Sequence, residues 1–137
     1  PRRVGTGVDP KRLAMIVAVL GRHARIPLGT ADVFVNVAGG VRVDEPGADL
    51  AVALAIASAA RGAPLHEGHV AFGEIGLTGR LRPVAQAERR LEECGKLGLR
   101  AVVAPAGTPS RGGIRVVAAE TIRQALSAAL APRPQGD

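Results

Sequence analysis

Residues 44–61, with the sequence DEPGADLAVALAIASAAR, decide the fold that the chain is expected to adopt. After Pro46 and Gly47 almost every residue is Ala, Val, Leu or Ile, so the stretch predicts a helix without a polar stripe. Such a helix is expected to be buried on all sides at the centre of the domain. Proline suits a first helical turn, and carboxylates are favoured near a helix N-terminus. We therefore expect any chemistry of the chain to sit at the start of this helix.

Patterns on both sides of the central helix predict alternating helices and strands. Asp9 followed by Pro10 predicts a helix start, and the apolar spacing that follows predicts an amphipathic helix over residues 10–24. The β-branched residues of 31–38 predict a strand, and a glycine pair then predicts a tight turn into residues 41–43, which are interpreted as a second strand or the end of a hairpin. Further strands are predicted at 69–75, 80–84, 100–104 and 114–117, and further helices at 85–97 and 119–130.

Two of these later elements carry more specific predictions. Residues 76–79, with a glycine at each end, predict a β-hairpin between the strands at 69–75 and 80–84. In the helix over 85–97, the inner face is expected to consist of Ala87, Leu91, Cys94 and Leu97. Together the elements predict an α/β (α+β) domain over residues 1–131, with a mixed sheet packed by helices around the buried central helix. The tail, residues 132–137, is expected to be disordered.

Composition bounds the class of protein. The chain has 137 residues, of which 47% are hydrophobic, but it has no Trp or Tyr, so Val, Leu, Ile and Ala must build the core. A net charge of +6 favours a polyanionic partner such as nucleic acid. The single cysteine, Cys94, excludes an internal disulfide and is typical of a reducing cytoplasm. No apolar run is long enough to span a bilayer, so we expect a cytoplasmic protein that does not associate with a membrane. Because the chain begins at Pro1, we expect it to be a piece of a longer protein.

Three stretches carry a resemblance to a known family. They are DVFVNVAGGVRVDEPGADLAVALAIASA, FGEIGLTGRLRPV and RRLEECGKLGLRAVVAP. Together they are similar to the C-terminal Lon-protease-like domain of the RadA (Sms) family of bacterial DNA repair proteins, over residues 3 to about 130. The resemblance implies the fold of the Lon proteolytic domain, which is related to the second domain of ribosomal protein S5. It also implies a parent that is a ring-forming, ATP-hydrolysing motor with a zinc finger, acting on recombination intermediates.

Carrying the Lon pattern onto this sequence removes both members of its Ser–Lys dyad. The resemblance places Gly47 at the position of the nucleophilic serine and Arg90 at the position of the lysine. Glycine has no side chain, and a guanidinium cannot lose its proton to act as a general base near neutral pH. Asp49, where the Lon pattern has glycine, would also repel a developing oxyanion at this helix start. The sequence thus predicts a protease fold with no catalytic residues.

Other reactive residue types are expected to have ordinary structural roles. None of the serines lies beside a base in a strained turn, so a surviving nucleophile is disfavoured. His66 and His69 lack further ligands apart from Glu67 and are interpreted as exposed turn residues, so no metal site is predicted. The glycines of 73–79 lack the Lys-Ser/Thr ending of a phosphate loop and predict a hairpin instead. Cys94 is interpreted as a small core residue. The serines are Ser58, Ser110 and Ser127.

Seven basic residues are candidates for DNA contacts. Those on the strand at 80–84 and on the following helix could converge with others near the first helix or the glycine turn. With two phenylalanines as the only aromatic residues, the chain lacks a platform for stacking bases, so contacts would go to phosphates without sequence preference. Against this interpretation, most scattered arginines form a solvated surface. The candidates are Lys11, Arg12, Arg42, Arg80, Arg82, Arg89 and Arg90.

The leading hypothesis is an accessory domain of a RadA-type DNA repair protein. It would support a homo-oligomeric ring, expected to be a hexamer in the parent, and bind single-stranded or branched DNA without a reaction of its own. No cofactor is expected in this piece, whereas the resemblance implies ATP, Mg and zinc elsewhere in the parent. One alternative is a purely structural oligomerisation scaffold, and a second, less favoured, is a residual serine peptidase.

Overall fold

The computed structural model of the chain describes residues 1–132, in which four helices alternate with seven strands. This alternation confirms the predicted α/β class, whereas most of the predicted tail, from residue 133 on, lies outside the described residues. The helices are α1 (Pro10–His23), α2 (Asp49–Arg61), α3 (Ala87–Lys96) and α4 (Ile122–Ala129). The strands are β1 (Arg3–Thr6), β2 (Val33–Asn36), β3 (His69–Ala71), β4 (Glu74–Ile75), β5 (Leu81–Arg82), β6 (Ala101–Pro105) and β7 (Arg115–Ala119).

The strands form three small sheets. Strands β1 and β2 pair in parallel, with Arg3 opposite Val33. Strands β3, β6 and β7 form a parallel sheet in that order, and β6, the central strand, is fully buried. Strands β4 and β5 form a short antiparallel hairpin, as the glycines at its ends predict. None of the helices in residues 1–132 is long and apolar enough to cross a membrane.

Helix α2 packs its inner face into the main core. Leu50, Ala53, Leu54 and Ala57 are at most 1% exposed, and the helix contacts both α1 and α4. Its C-terminus follows the prediction, because Gly62 closes the helix in the left-handed conformation with φ of 62°. The start of α2 continues a 3₁₀ turn that runs over Pro46–Ala48.

The prediction that α2 is buried on all sides is wrong. Its outer face is exposed and consists of small residues, and within residues 1–132 no strand or helix covers it. Apolar composition shows that a helix face can be buried, but it does not determine which element packs against that face. Here the helices and strands that contact α2 leave its outer face uncovered. The exposed residues are Ala51, Ala55, Ala59 and Ala60.

Three further local predictions are corrected. Residues 41–43 do not form a hairpin strand, because Val43 instead makes an isolated parallel bridge with Val8, which follows β1. The strand predicted over 69–75 divides between two sheets, because after β3 the chain leaves β6 and pairs with β5. Leu97 was expected to face inward but is 74% exposed, because α3 ends at Lys96.

Helix α3 is packed closely against the loop that precedes β7. A Cβ atom added to Gly95, inside α3, would overlap the carbonyl oxygen of Gly112. Gly112 in turn adopts φ of 67° and approaches the backbone of Leu91 and Glu92. This contact between two backbones requires glycine on both sides.

We expect Gly95→Ala to destabilise the chain by about 1–3 kcal/mol, because overpacking against a backbone atom outweighs the better helix propensity of alanine. Gly21→Ala is the matched control, because its Cβ would lie 3.7 Å from the nearest atom, the carbonyl oxygen of Ile26. The control should stabilise the chain by about 0.5–1 kcal/mol. Urea unfolding monitored by circular dichroism measures both effects, and equal stabilisation by the two variants would contradict the close contact.

Candidate functional site at the start of helix α2

Three hydrogen bonds join the start of α2 and the 3₁₀ turn before it to Gly73 and to β4. The N–H of Leu50 donates to the carbonyl of Gly73 at 3.0 Å, and the N–H of Gly73 donates to the carbonyl of Gly47 at 2.9 Å. The N–H of Ile75 donates to Oδ2 of Asp49 at 3.1 Å. The position of the helix start is therefore fixed by the same chain segment that leads into the β4–β5 hairpin.

Asp49 is a buried carboxylate with an arginine partner. It is 3% exposed, and Arg12 of α1 donates through Nε to Oδ1 at 2.7 Å and through Nη2 to Oδ2. The hydrogen bond to Asp49 raises the pKa of Arg12 above its usual value, although partial burial of the guanidinium opposes this shift. Arg12 thus largely neutralises the negative charge that Asp49 places at this helix start, which was expected to repel an oxyanion.

Gly47 and Arg90 lie next to each other. Gly47 is buried, and a Cβ atom added to it would lie 3.2 Å from Cγ1 of Val84 and 3.4 Å from Nη2 of Arg90. The guanidinium of Arg90 is held there by Glu45, whose Oε1 is 2.5 Å from Nη2, and by the carbonyl of Ala85, which accepts from Nε at 3.0 Å. The space beside Gly47 is therefore occupied by a positive charge and offers neither a hydroxyl nor an amine.

An open cleft of about 460 Å³ adjoins this arrangement. Arg89 and Arg90 line it from α3, and Glu45 and Phe72 line it from the other side. Gln86, at the start of α3, is one of two non-glycine residues within 1–132 with a positive φ, and its value is 57°. The cleft combines charges of both signs, which suits a polar group at its mouth rather than an apolar ligand.

Cys94 lines the same cleft, and its surroundings reduce its reactivity. Burial raises the pKa of the Cys94 thiol, and the nearby charge of Glu93 acts in the same direction. Because the thiolate is the reactive form, we expect iodoacetamide to alkylate the folded chain more slowly than the urea-unfolded chain at pH 8. Mass spectrometry of timed samples measures both rates. A folded rate equal to the unfolded rate would contradict the raised pKa.

The seven DNA-contact candidates divide into two groups. Arg12 and Arg90 are 31% and 30% exposed, and both guanidiniums are engaged in the interactions described above. The other five are exposed on the surface. Of these, Lys11 and Arg89 have no ion pair within residues 1–132, and the remaining three pair with exposed or half-exposed carboxylates. These pairs are Arg42 with Asp44 at 2.9 Å, Arg80 with Glu120 at 3.4 Å, and Arg82 with Glu74 at 3.5 Å.

The contacts bring only some of these candidates together. Arg82 pairs with Glu74, the residue before Ile75, and the charge of Glu74 also acts on Arg12. Arg89 shares the cleft with Arg90. Arg80 instead belongs with the start of α4, since it forms an isolated bridge with Thr121. Sequence reasoning missed the carboxylate partners, because the pairing depends on the fold. Glu74 lies opposite Arg82 in the β4–β5 hairpin, and Glu120 reaches Arg80 from the segment before α4.

The other residues singled out from the sequence have local contacts. Nδ1 of His69 lies 3.1 Å from the carbonyl oxygen of Glu67, and Nε2 lies 3.5 Å from Nη2 of Arg115. Both His66 and His69 are half-buried rather than fully exposed. In the described part of the chain, no group of three or more His, Cys, Asp or Glu residues could hold a metal ion. Ser58 donates its hydroxyl to the carbonyl of Ala63 at 2.7 Å.

The fold and the site define an α/β domain in which a buried aspartate, paired with a partly exposed arginine, and a glycine lie at the start of a central helix. A family model described as "Subunit ChlI of Mg-chelatase" matches residues 11–108, and the chain belongs to this family.

Among individual proteins, the chain is similar to several that are named DNA repair protein RadA. It is 45% identical to the one from Pseudomonas aeruginosa over 131 residues, which are 93% of this chain and 29% of that protein. The RadA of Escherichia coli is 43% identical over 93% of this chain, and that of Bacillus subtilis is 38% identical over 95%. The resemblance inferred from the sequence is confirmed. The chain spans less than a third of the length of these relatives.

Proposed function

We propose that this chain is an accessory domain of a RadA-type, ATP-dependent DNA repair and recombination protein. In this role it binds the phosphates of single-stranded or branched DNA without reading sequence, and it contributes to a ring of identical subunits. The names of the relatives support the repair role. ATP, Mg and zinc in the parent stay predictions from the resemblance.

The proposal of DNA binding is supported by the exposure of most of the candidate basic residues. Five of the seven remain exposed, and the three that have ion pairs meet carboxylates that water also reaches. Exposed pairs of this kind contribute about 0–1 kcal/mol, so a phosphate can replace the carboxylate at little cost. We therefore assign phosphate contacts to Lys11, Arg42, Arg80, Arg82 and Arg89. Arg12 and Arg90 have a positioning role, because they hold Asp49 and Glu45 at the start of α2.

The test is fluorescence anisotropy of a labelled single strand and a labelled duplex, titrated with the chain at several salt concentrations. The logarithm of the association constant should fall linearly with the logarithm of salt concentration, by about 0.7 per phosphate contact for the single strand and about 0.9 for the duplex. Absence of binding at the lowest salt concentration would overturn the proposal of DNA contact by this domain.

The same arrangement supports the proposal that the domain is not a peptidase. Gly47 lacks a hydroxyl, and the group beside it is a guanidinium, which does not serve as a general base near neutral pH. We expect no cleavage of unfolded casein and no labelling by a fluorophosphonate. Either signal, if abolished by replacement of Ser58, Ser110 or Ser127, would revive the enzyme hypothesis.

One observation favours the scaffold alternative. The exposed alanine face of α2 borders an open groove of about 460 Å³, at which Phe34 of β2 is 59% exposed. Apolar surface of this kind is common where subunits meet. Sedimentation equilibrium distinguishes the two functions, because a scaffold without DNA contacts would assemble but leave the anisotropy of labelled DNA unchanged.

A further inference from the structure

The β4–β5 hairpin presents a leucine to solvent at its tip. Leu77 is 76% exposed, which makes it the most exposed large hydrophobic residue within 1–132. It lies in the turn that Gly79 closes by donating its N–H to the carbonyl of Gly76 at 2.9 Å. An exposed leucine does not stabilise the fold, because its apolar surface stays in contact with water. The residues around it therefore indicate what kind of partner it could contact.

Two helices hold this tip in place. Nε2 of His23, near the end of α1, donates to the carbonyl oxygen of Leu77 at 3.1 Å. The N–H of Ile122, the first residue of α4, donates to the carbonyl of Gly79 at 2.8 Å. Gly79 has φ of 84°, and a Cβ atom added to it would lie only 2.8 Å from Cβ of His23. Leu77 is therefore fixed on a packed support, and little conformational entropy is lost when it makes a contact.

The residues beside these two anchors are exposed arginines. Arg22 precedes His23 and Arg123 follows Ile122, and within residues 1–132 neither guanidinium has an ion pair. Arg80, on the return strand of the hairpin, adds a third positive charge. The carboxylate in contact with this group is Glu120, at 3.4 Å from Arg80, and both side chains of that pair are more than half exposed. The hairpin and the two helix ends that hold it thus bring three exposed arginines into the neighbourhood of an exposed leucine.

We propose that this surface, formed by Leu77, Arg22 and Arg123, is a second nucleic-acid contact that recognises DNA with accessible bases. Arginines at the tip bind phosphates, and Leu77 packs against a base that is unpaired or only partly stacked at a branch point. Apolar side chains act as wedges in this way at distorted base steps. A regular duplex offers phosphates but no accessible base face, so it should gain less from Leu77. This inference rests on the proposed function, because it presumes that the chain binds DNA.

The test compares labelled branched DNA with a labelled duplex of equal length, by anisotropy over a series of salt concentrations. Leu77→Ala should weaken binding of branched DNA several-fold, with little change for the duplex and an unchanged salt dependence. Arg22→Ala/Arg123→Ala should instead lower the slope of log affinity against log salt by about 1.8, which corresponds to two phosphate contacts at about 0.9 each.

Matched controls come from another part of the chain. Leu97, after α3, is 74% exposed, and Arg100 is an exposed arginine before β6. Leu97→Ala and Arg100→Ala should bind both DNAs as the wild type does. Circular dichroism and urea unfolding establish that each variant is folded, since none of these side chains belongs to the core.

The outcomes separate this inference from the proposed function. If the tip variants bind both DNAs as tightly as the wild type, while loss of Lys11, Arg42, Arg82 and Arg89 weakens binding, the second contact is overturned and the proposed function stands. If the wild type binds no DNA at low salt, both fail. If Leu77→Ala changes the sedimentation mass of the chain but not its DNA affinity, the tip contacts a second copy of the chain, and the inference is overturned.

Discussion

Arg12→Ala is expected to lower the free energy of unfolding by about 3–5 kcal/mol, because it leaves a buried carboxylate without its positive partner. Asp49 is 3% exposed, and after the substitution only the N–H of Ile75 remains among its hydrogen-bond donors. The loss should be larger than removal of an exposed arginine causes. Because Asp49 begins α2, the effect should extend to the helix on which the core is built.

Urea unfolding measures this loss, and two further variants interpret it. Arg42→Ala removes an ion pair in which both side chains are more than 60% exposed, so it should cost no more than about 1 kcal/mol. Arg12→Ala/Asp49→Asn removes the buried charge but keeps an oxygen for the N–H of Ile75, so it should recover more than half of the loss. A single Arg12→Ala variant as stable as Arg42→Ala would show that Asp49 is not an uncompensated charge.

The second large effect is expected on DNA affinity. Replacement of Lys11, Arg42, Arg82 and Arg89 by alanine should lower the slope of log affinity against log salt for a duplex by about 3.6, at about 0.9 per contact. Through these four contacts the wild type should lose about 100-fold in affinity between 50 and 200 mM salt, and the variant should not show this part of the loss. Arg80 is left in place, because its contacts place it with the hairpin tip.

A control of equal charge tests whether position matters. Replacement of four other exposed arginines lowers the net charge by the same amount but leaves the proposed contact residues intact. This control should keep most of the affinity and of the salt slope. If both variants lose binding equally, the DNA responds to total charge, and the assignment of contact residues is wrong. The control residues are Arg2, Arg100, Arg111 and Arg115.

Local patterns predicted the correct elements where neighbouring residues determine the structure. Asp9 caps α1 by accepting from the N–H of Arg12 at 3.2 Å, and Gly62 ends α2, both as predicted. The failures involve partners that are distant along the chain. Val43 meets Val8 rather than β2, and no local pattern encodes that choice. The exposed face of α2 likewise depends on what the rest of the chain leaves uncovered.

The site was predictable to a similar extent. The resemblance pointed to Gly47 and Arg90, which are 43 positions apart in the sequence, and their adjacency in the fold is consistent with that assignment. The ion pairs were not predictable, because Arg12 reaches Asp49 and Arg90 reaches Glu45 across different elements. The sequence alone does not rank the seven candidate basic residues. Only their exposure in the structure separates the two that are partly buried and paired from the five that are exposed.

The packing of Arg90 beside Gly47 bears on how such a domain evolves. If these positions descend from a serine and a lysine, neither can revert alone with any benefit. Serine at position 47 would crowd Val84 and meet a guanidinium that cannot accept its proton, because its Cβ would lie 3.2 Å from Cγ1 of Val84. Lysine at position 90 would give up the paired contacts to Glu45 and Ala85 and find no hydroxyl. If the domain has lost hydrolysis as we propose, each single step back would therefore be costly without restoring activity.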